Sequence, residues 1–255
     1  MKQEEKILFL IKFGKKSHLE QIVEGKIRFS PSSTYRRIEN EMKKRGQGDA
    51  LEGKMVIHAS SGIIRDYETN EPLKIITEPF DSLLGIQNIE NMPIFCLSCY
   101  CEEDVEICEN ESSMIKLDKS HVKRQMKDFP ESDYALIILE PEIFIDDINN
   151  IMGHTFVHDR IHYFDYGINS LQMLMYLTLG DESIPDNIGN MKLSMVEDNA
   201  YRHLLCKDNF FSKQNEYRFI ERNYFISEPV SYNFNFHSKY LLVPIESLIE
   251  GVKIM

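Results

Sequence analysis

Long apolar runs are missing from this 255-residue chain: no stretch approaches the roughly 20 apolar residues that a membrane helix needs. The N-terminus, Met1-Lys2-Gln3-Glu4-Glu5-Lys6, is charged, and the apolar run behind it, Ile7 to Ile11, is too short for a signal-peptide core. The expectation is a soluble, cytoplasmic protein with no membrane partner. Zinc-type cysteine spacing is missing too, and five cysteines cannot all pair. Cys96, Cys99 and Cys101 include a C-x-x-C, but they lie in an apolar run, Ile94 to Cys101, that reads as a strand. A strand sends Cys96 and Cys99 to opposite faces, which suits neither a shared metal nor a disulfide. They read as small buried hydrophobes in a reducing compartment. Nucleotide loops are absent as well. Gly46-Gln47-Gly48 lacks the Walker lysine-serine ending, no G-x-G-x-x-G follows a strand, and there is no G-x-S-x-G elbow. Phosphate-loop ATPase, classical dehydrogenase and α/β-hydrolase readings are therefore weak. No internal repeat, low-complexity tract or linker stands out.

What is present suits a globular chain. The length lies at the upper edge of one domain, and 42% hydrophobic with 11% aromatic residues is enough for a sizeable core. The net charge of −12 argues against nonspecific nucleic-acid binding. A local basic cleft is still allowed, because Lys and Arg are dense between Lys12 and Lys54 while acid gathers at Glu102-Glu103-Asp104 and Glu109 to Glu111. That asymmetry permits an anionic ligand on the N-terminal third.

Periodicity and turn signals predict strands at Ile7 to Phe13, Ile27 to Ser30, Met55 to Ala59, Leu73 to Thr77, Pro93 to Tyr100, Tyr134 to Leu139, His154 to Phe164, Tyr217 to Ile220 and Tyr240 to Val243. Helices are expected after a Ser17–Glu20 capping box, from Ser33 to Lys44 with a Glu39–Lys43 pair, and from Ser113 to Phe129. Others are expected at Ser170 to Leu179, Val196 to Cys206 and Ile245 to Ile249. The simplest account is a single α+β domain over residues 1–255, with a helical insertion at roughly 165–210.

Candidate chemistry is sparse. His154, His158 and His162 share one face of the predicted strand, but about 13 Å separates neighbours, too far for one metal, so no metal site is assigned. Two segments carry more. One runs from Phe13-Gly14 to Gly53 and includes Arg28-Phe29-Ser30-Pro31 and Asp49-Ala50-Leu51-Glu52-Gly53. The other is Phe211 to Ile220, where alternation puts Tyr217 and Phe219 on one face and Glu216, Arg218 and Ile220 on the other. A carboxylate and a guanidinium two apart on one face can pair on an edge strand or flank a cleft. Glu216 and Arg218 are the candidate catalytic residues. Asp49, Glu52 and Glu216 converging on Mg²⁺, as in a metal-dependent nuclease, is a rival arrangement.

Phe29-Ser30-Pro31, Asp49-x-x-Glu52-Gly53, Glu216-Tyr217-Arg218 and Phe95-Cys96-Leu97-Ser98 resemble the F-S-P, D-x-x-E-G, E-Y-R and F-x-x-S elements of an uncharacterised bacterial family. The match spans most of the chain on about a dozen distinctive positions. The N-terminal segment is also similar to the start of an ADP-ribosyltransferase fold, with Phe13-Gly14-Lys15 where H-G-T would stand and without an S-T-S triplet. The resemblance implies an ADP-ribosyltransferase-like mixed sheet, NAD as substrate and Glu216 as the late catalytic glutamate. It further implies an NAD cradle built from Phe13, Gly14, Arg28, Ser30, Tyr35 and Arg36, with Arg28 or Arg36 on the pyrophosphate and Tyr35 or Phe13 on nicotinamide. A bacterial or phage-defence toxin would follow, with a nucleic acid (RNA or DNA) or a protein as acceptor and an antitoxin as a possible partner. A regulatory module that keeps the fold and has lost catalysis is the other alternative.

Overall fold

The computed structural model describes residues 6–66, 68–107, 114–180, 182 and 197–253. It is a mixed α+β fold around a large antiparallel sheet. The sheet strands, in chain order, are β1 (Phe9–Gly14), β2 (Lys26–Pro31), β3 (Pro93–Tyr100), β4 (Tyr134–Ile138), β5 (Phe156–Arg160), β6 (Glu216–Glu221), β7 (Val230–Asn233) and β8 (Tyr240–Pro244). Across the sheet the order is β5-β6-β3-β1-β4-β8, with β2 joined to β3 and β7 joined to β2.

Strand β3 is shared unevenly. Along one side β6 covers Ile94 to Ser98. Along the other, β1 pairs with Ser98 to Tyr100 while β2 pairs only with Pro93 and Ile94. The sheet therefore splits beside Phe95, Cys96 and Leu97. That split positions the site described below.

Alternation then sorts the side chains. Phe95, Leu97, Cys99, Tyr217 and Phe219 join the core on one face, with α1 (Lys16–Val23) and α4 (Pro141–Asn149) laid over it. The opposite face carries two cores. One gathers Ile94 and Ile220 with α5 (Leu171–Leu179) and the 3-10 turns of Glu197–Leu205. The other gathers Ile11, Tyr100 and Ile137 under α3 (Lys119–Asp128) and the short helix Ser247–Glu250. The helix α2 (Ser33–Met42) follows β2 directly, and Tyr35 on it packs against the first of these two cores.

Several expected elements differ in the structure. The stretch expected to be one helix from Ser113 to Phe129 is a strand, Met114–Leu117, followed by α3, and Ser113 lies outside the described residues. Asp118 separates them by accepting from the Ser120 and His121 amides, a helix start that the preceding hydrophobic residues masked. Ser17 is inside α1 and caps nothing; the Asp133 carboxylate reaches the Lys16 amide from another element instead. Glu39 does not meet Lys43, which ends α2 in the left-handed region; its carboxylate accepts from the Ala50 amide and faces Arg45. The His154-to-Phe164 strand breaks at Ile161, whose amide donates to the Glu216 carbonyl. Of the segment expected to be inserted at 165–210, the described part holds α5, the 3-10 turns and a short strand, Cys206–Asp208. Lys54–Ala59 pairs with Phe80–Gly85 and Gly62–Arg65 with Pro72–Ile76, two hairpin pairs of which the expected strands Met55–Ala59 and Leu73–Thr77 are one side each.

Candidate functional site

The split in the sheet opens into a cavity of about 180 Å³. It lies on the face that carries two cores, between them. Its aromatic walls are Phe13, Tyr35 and Phe129, and Glu216 and Lys207 close it at the β6 end.

Glu216 begins β6 opposite Ser98 of β3, and Arg218 lies opposite Cys96. Among the described residues Arg218 is the largest fully buried side chain, at 0% exposure. Its Nε donates to Glu216 Oε1 at 2.6 Å, and its two terminal nitrogens form a fork on Glu52 at 2.5 and 2.9 Å. One of them also donates to the Leu204 carbonyl. All the guanidinium faces are thus occupied, which is the condition for burying such a charge. Lys207 Nζ donates to Glu216 Oε2 at 2.8 Å and to Gln214 Oε1 at 3.3 Å, and sits over the Phe211 ring. The Tyr163 hydroxyl accepts from the Glu216 amide.

These contacts decide the charge states. Burial alone would raise the Glu216 pKa; the Arg218 and Lys207 charges overcome it and hold the carboxyl well below the usual range. Glu216 is therefore an ionised carboxylate, 7% exposed, at the end of a cavity. Burial pulls against Lys207 as well, but Glu216 and the neighbouring carboxylates raise its pKa. Lys12 differs. Its ammonium donates to the Cys96 carbonyl at 2.5 Å, in the gap where β3 has no strand partner on the side away from β6, and burial lowers its pKa. The Cys96 thiol, 3.7 Å from the Tyr35 hydroxyl, is pushed up to about 12, by burial first and then by Glu216, so it is no nucleophile.

The Asp49-x-x-Glu52-Gly53 motif now has a physical meaning. Asp49 Oδ1 accepts from the Leu51 amide and turns the chain; Glu52 reaches Arg218; Gly53 takes a φ of +70°, which an L side chain resists. Burial, with Glu52 nearby, raises the Asp49 pKa to about 6.

Of the residues expected at the site, Glu216, Phe13 and Tyr35 line the cavity. Arg218 stands behind Glu216. Gly14 and Ser30 do not line the cavity; Gly14 pairs with Tyr134 and Ser30 with Ile94. Arg28 is exposed on β2 and Arg36 is paired with Glu90, so neither lines it. Sequence reasoning missed Lys12, Lys207, Gln125 and Gln214. The sequence signal was faint: a lysine inside an otherwise apolar strand, Leu8 to Phe13, and another just after Cys206.

Comparison with family models, curated proteins and solved structures finds no match.

In the rival metal arrangement the carboxylates are already occupied, Asp49 by the Leu51 amide and Glu52 and Glu216 by Arg218. Arg218 stands between Glu52 and Glu216, and among the described residues no group of three or more metal-ligating side chains forms. His154, His158 and His162 each have a different partner: Glu221, the Tyr217 hydroxyl and Glu182. Cys96 and Cys99 do face opposite ways, Cys96 toward Tyr35 and Cys99 into the other core.

Proposed function

We propose that this chain is an NAD-dependent ADP-ribosyltransferase-like enzyme with Glu216 as its catalytic carboxylate. One observation carries the reading: Phe13 and Tyr35, from the segment expected to cradle NAD, line the same cavity as Glu216, from the other end of the chain. The cavity has room for a nicotinamide ring between aromatic walls, with the adenosine end of the dinucleotide outside. Each Glu216 oxygen accepts one bond from a cation and retains a lone pair for a ribose hydroxyl. When the C–N bond to nicotinamide breaks, its electron pair leaves with nicotinamide, and the positive charge gathering on the ribose faces a fixed carboxylate. The acceptor's nucleophilic atom then bonds to the same ribose carbon and gives up its proton to solvent water. Lys12 and Lys207 are the cations at hand for the pyrophosphate, in place of Arg28 and Arg36. The acceptor is a nucleic acid or a protein, in keeping with a toxin that is held in check by an antitoxin.

A second reading has its own support. Both Glu216 oxygens are already engaged by Arg218 and Lys207, as they would be in a binding module that keeps the pocket without the chemistry.

The test is incubation with labelled NAD and mixed protein and nucleic-acid acceptors, comparing wild type with Glu216→Gln. Transfer by wild type that drops at least 100-fold in the variant is expected. No turnover by wild type leaves the binding module, and transfer that survives Glu216→Gln removes Glu216 from the chemistry.

A further inference from the structure

A second cavity, of about 590 Å³, lies between the turn that follows α4 and the segment from Ser231 to His237. Its surroundings belong to the other side of the sheet: Ile151 and Tyr232 on its wall are members of the core under α1 and α4. It shares no lining residue with the Glu216 cavity.

Its polar groups are held in place from behind. His154 Nδ1 is 2.6 Å from Glu221 Oε1, and the other oxygen of that buried carboxylate accepts from the Tyr232 hydroxyl at 2.7 Å. His237 Nδ1 is 2.6 Å from Asp147 Oδ1, and Oδ2 accepts from the His237 amide at 2.8 Å. In both pairs the carboxylate faces Nδ1, which fixes the imidazole and leaves Nε2 for a ligand. The His154 ring also lies 4.5 Å from that of Tyr232. Two histidines on opposite walls are thus aimed by buried acids that no Lys or Arg neutralises among the described residues.

The lining excludes several ligand classes. Among the described residues no Lys or Arg lines the cavity, so a phosphate or carboxylate has no strong partner there. Both carboxylates are turned to their imidazoles, and no group of three metal ligands forms among the described residues, so neither a metal ion nor an organic cation is matched. What remains are the amides of Asn150, Asn233 and Asn235, which donate and accept at once, and the imidazole Nε2 atoms, which accept while Nδ1 donates to its carboxylate, beside the aromatic rings of Tyr232 and Phe234. Hydroxyl groups donate and accept in the same way, and the C–H face of a sugar ring packs on an aromatic ring. We propose that this cavity is a second ligand site, for a neutral sugar ring bearing neighbouring hydroxyls, held between His154 and His237. The sugar belongs either to a nucleoside or to a free saccharide.

Amide chemical-shift mapping of the ¹⁵N-labelled full chain with adenosine, and separately with glucose and maltose, tests the proposal. At least one probe should move resonances of Asn150 to His154 and of Ser231 to His237, with Kd below about 5 mM. Binding by adenosine alone identifies the nucleoside source; binding by glucose or maltose identifies the saccharide. Asn235→Ala, at an exposed position, should weaken binding at least 5-fold with no change in the thermal melt; His237→Ala should weaken it as much, with a lower melt because Asp147 loses its imidazole partner. No shifts from any probe up to about 20 mM, shifts confined to the Glu216 cavity, or affinity unaltered in both variants would overturn the proposal. None of these outcomes depends on NAD turnover.

Discussion

The Lys12 ammonium donates to the Cys96 carbonyl across the split in the sheet, at 2.5 Å. A side chain here does the work of a missing strand: β1 has left β3 at Ser98 and β2 joins only at Ile94, so the carbonyl between them would otherwise be orphaned. Lys12→Met keeps the stem and removes the donor. We expect a loss of about 1–3 kcal/mol in urea unfolding. If the cavity takes an anionic ligand, NAD affinity in equilibrium binding should fall by about tenfold or more.

Arg218 separates two buried glutamates. Arg218→Met would leave Glu52 and Glu216 buried without their common counter-charge, and roughly 3–5 kcal/mol of stability should be lost. Arg218→Lys should recover only part of it, since an ammonium cannot fork on Glu52 while holding Glu216. Chemical denaturation of the three proteins checks the order: wild type, Lys, Met.

Acid should act through Glu216. Its folded pKa is depressed, so its contribution is fully present above the unfolded value of 4.5 and is lost as pH falls below it. Denaturation midpoints measured down to pH 3 should drop less steeply for Glu216→Gln than for wild type.

Asp49 and His203 should oppose each other in mildly acid solution. The Asp49 pKa is raised from 3.8 to about 6 by burial and by Glu52, so the folded state holds the extra proton and stability falls as pH rises through that window. The His203 pKa is lowered from 6.5 to about 4 by burial, so the unfolded state holds the extra proton and stability rises with pH. Asp49→Asn should therefore steepen the rise in stability between pH 4 and 6.5, by up to about 3 kcal/mol across the window. His203→Leu should replace the rise with a fall.

Gly53→Ala places a Cβ 3.1 Å from a Leu204 methyl, at a φ of +70°. A loss of about 1–2 kcal/mol is expected from the left-handed backbone alone. Because Leu204 also supplies the carbonyl that Arg218 donates to, the same change should disturb Glu216, which under the proposed function would reduce NAD turnover.

Elements whose signal is local were legible in the sequence. Pro93–Tyr100 carries β-rich residues between turn signals and forms the expected strand, residue for residue. The alternation around Glu216 also placed Arg218 on its face and Tyr217 and Phe219 in the opposite core. Caps and ion pairs were less legible, because a partner from elsewhere can displace the local one: Asp133 caps α1 in place of Ser17, and Ala50 claims Glu39 before Lys43 can. At the site, Glu216, Phe13 and Tyr35 could be read from motif and aromatic character. Lys12 and Lys207 could not, since their role depends on where the sheet splits, and no local pattern records that. Arg28 has the charge to meet a pyrophosphate, but it sits on an exposed part of β2 and does not line the cavity.

The fork between Arg218 and Glu52 joins positions 166 apart, and Gln214 reaches the Gly46 carbonyl across 168. Such contacts come late, because a long loop must close before they form. On the ribosome, the segment holding Glu52 emerges long before its partner exists. A chain interrupted between Phe129 and β6 carries the aromatic walls of the cavity but no Glu216, so any activity seated there waits for β6 to be made.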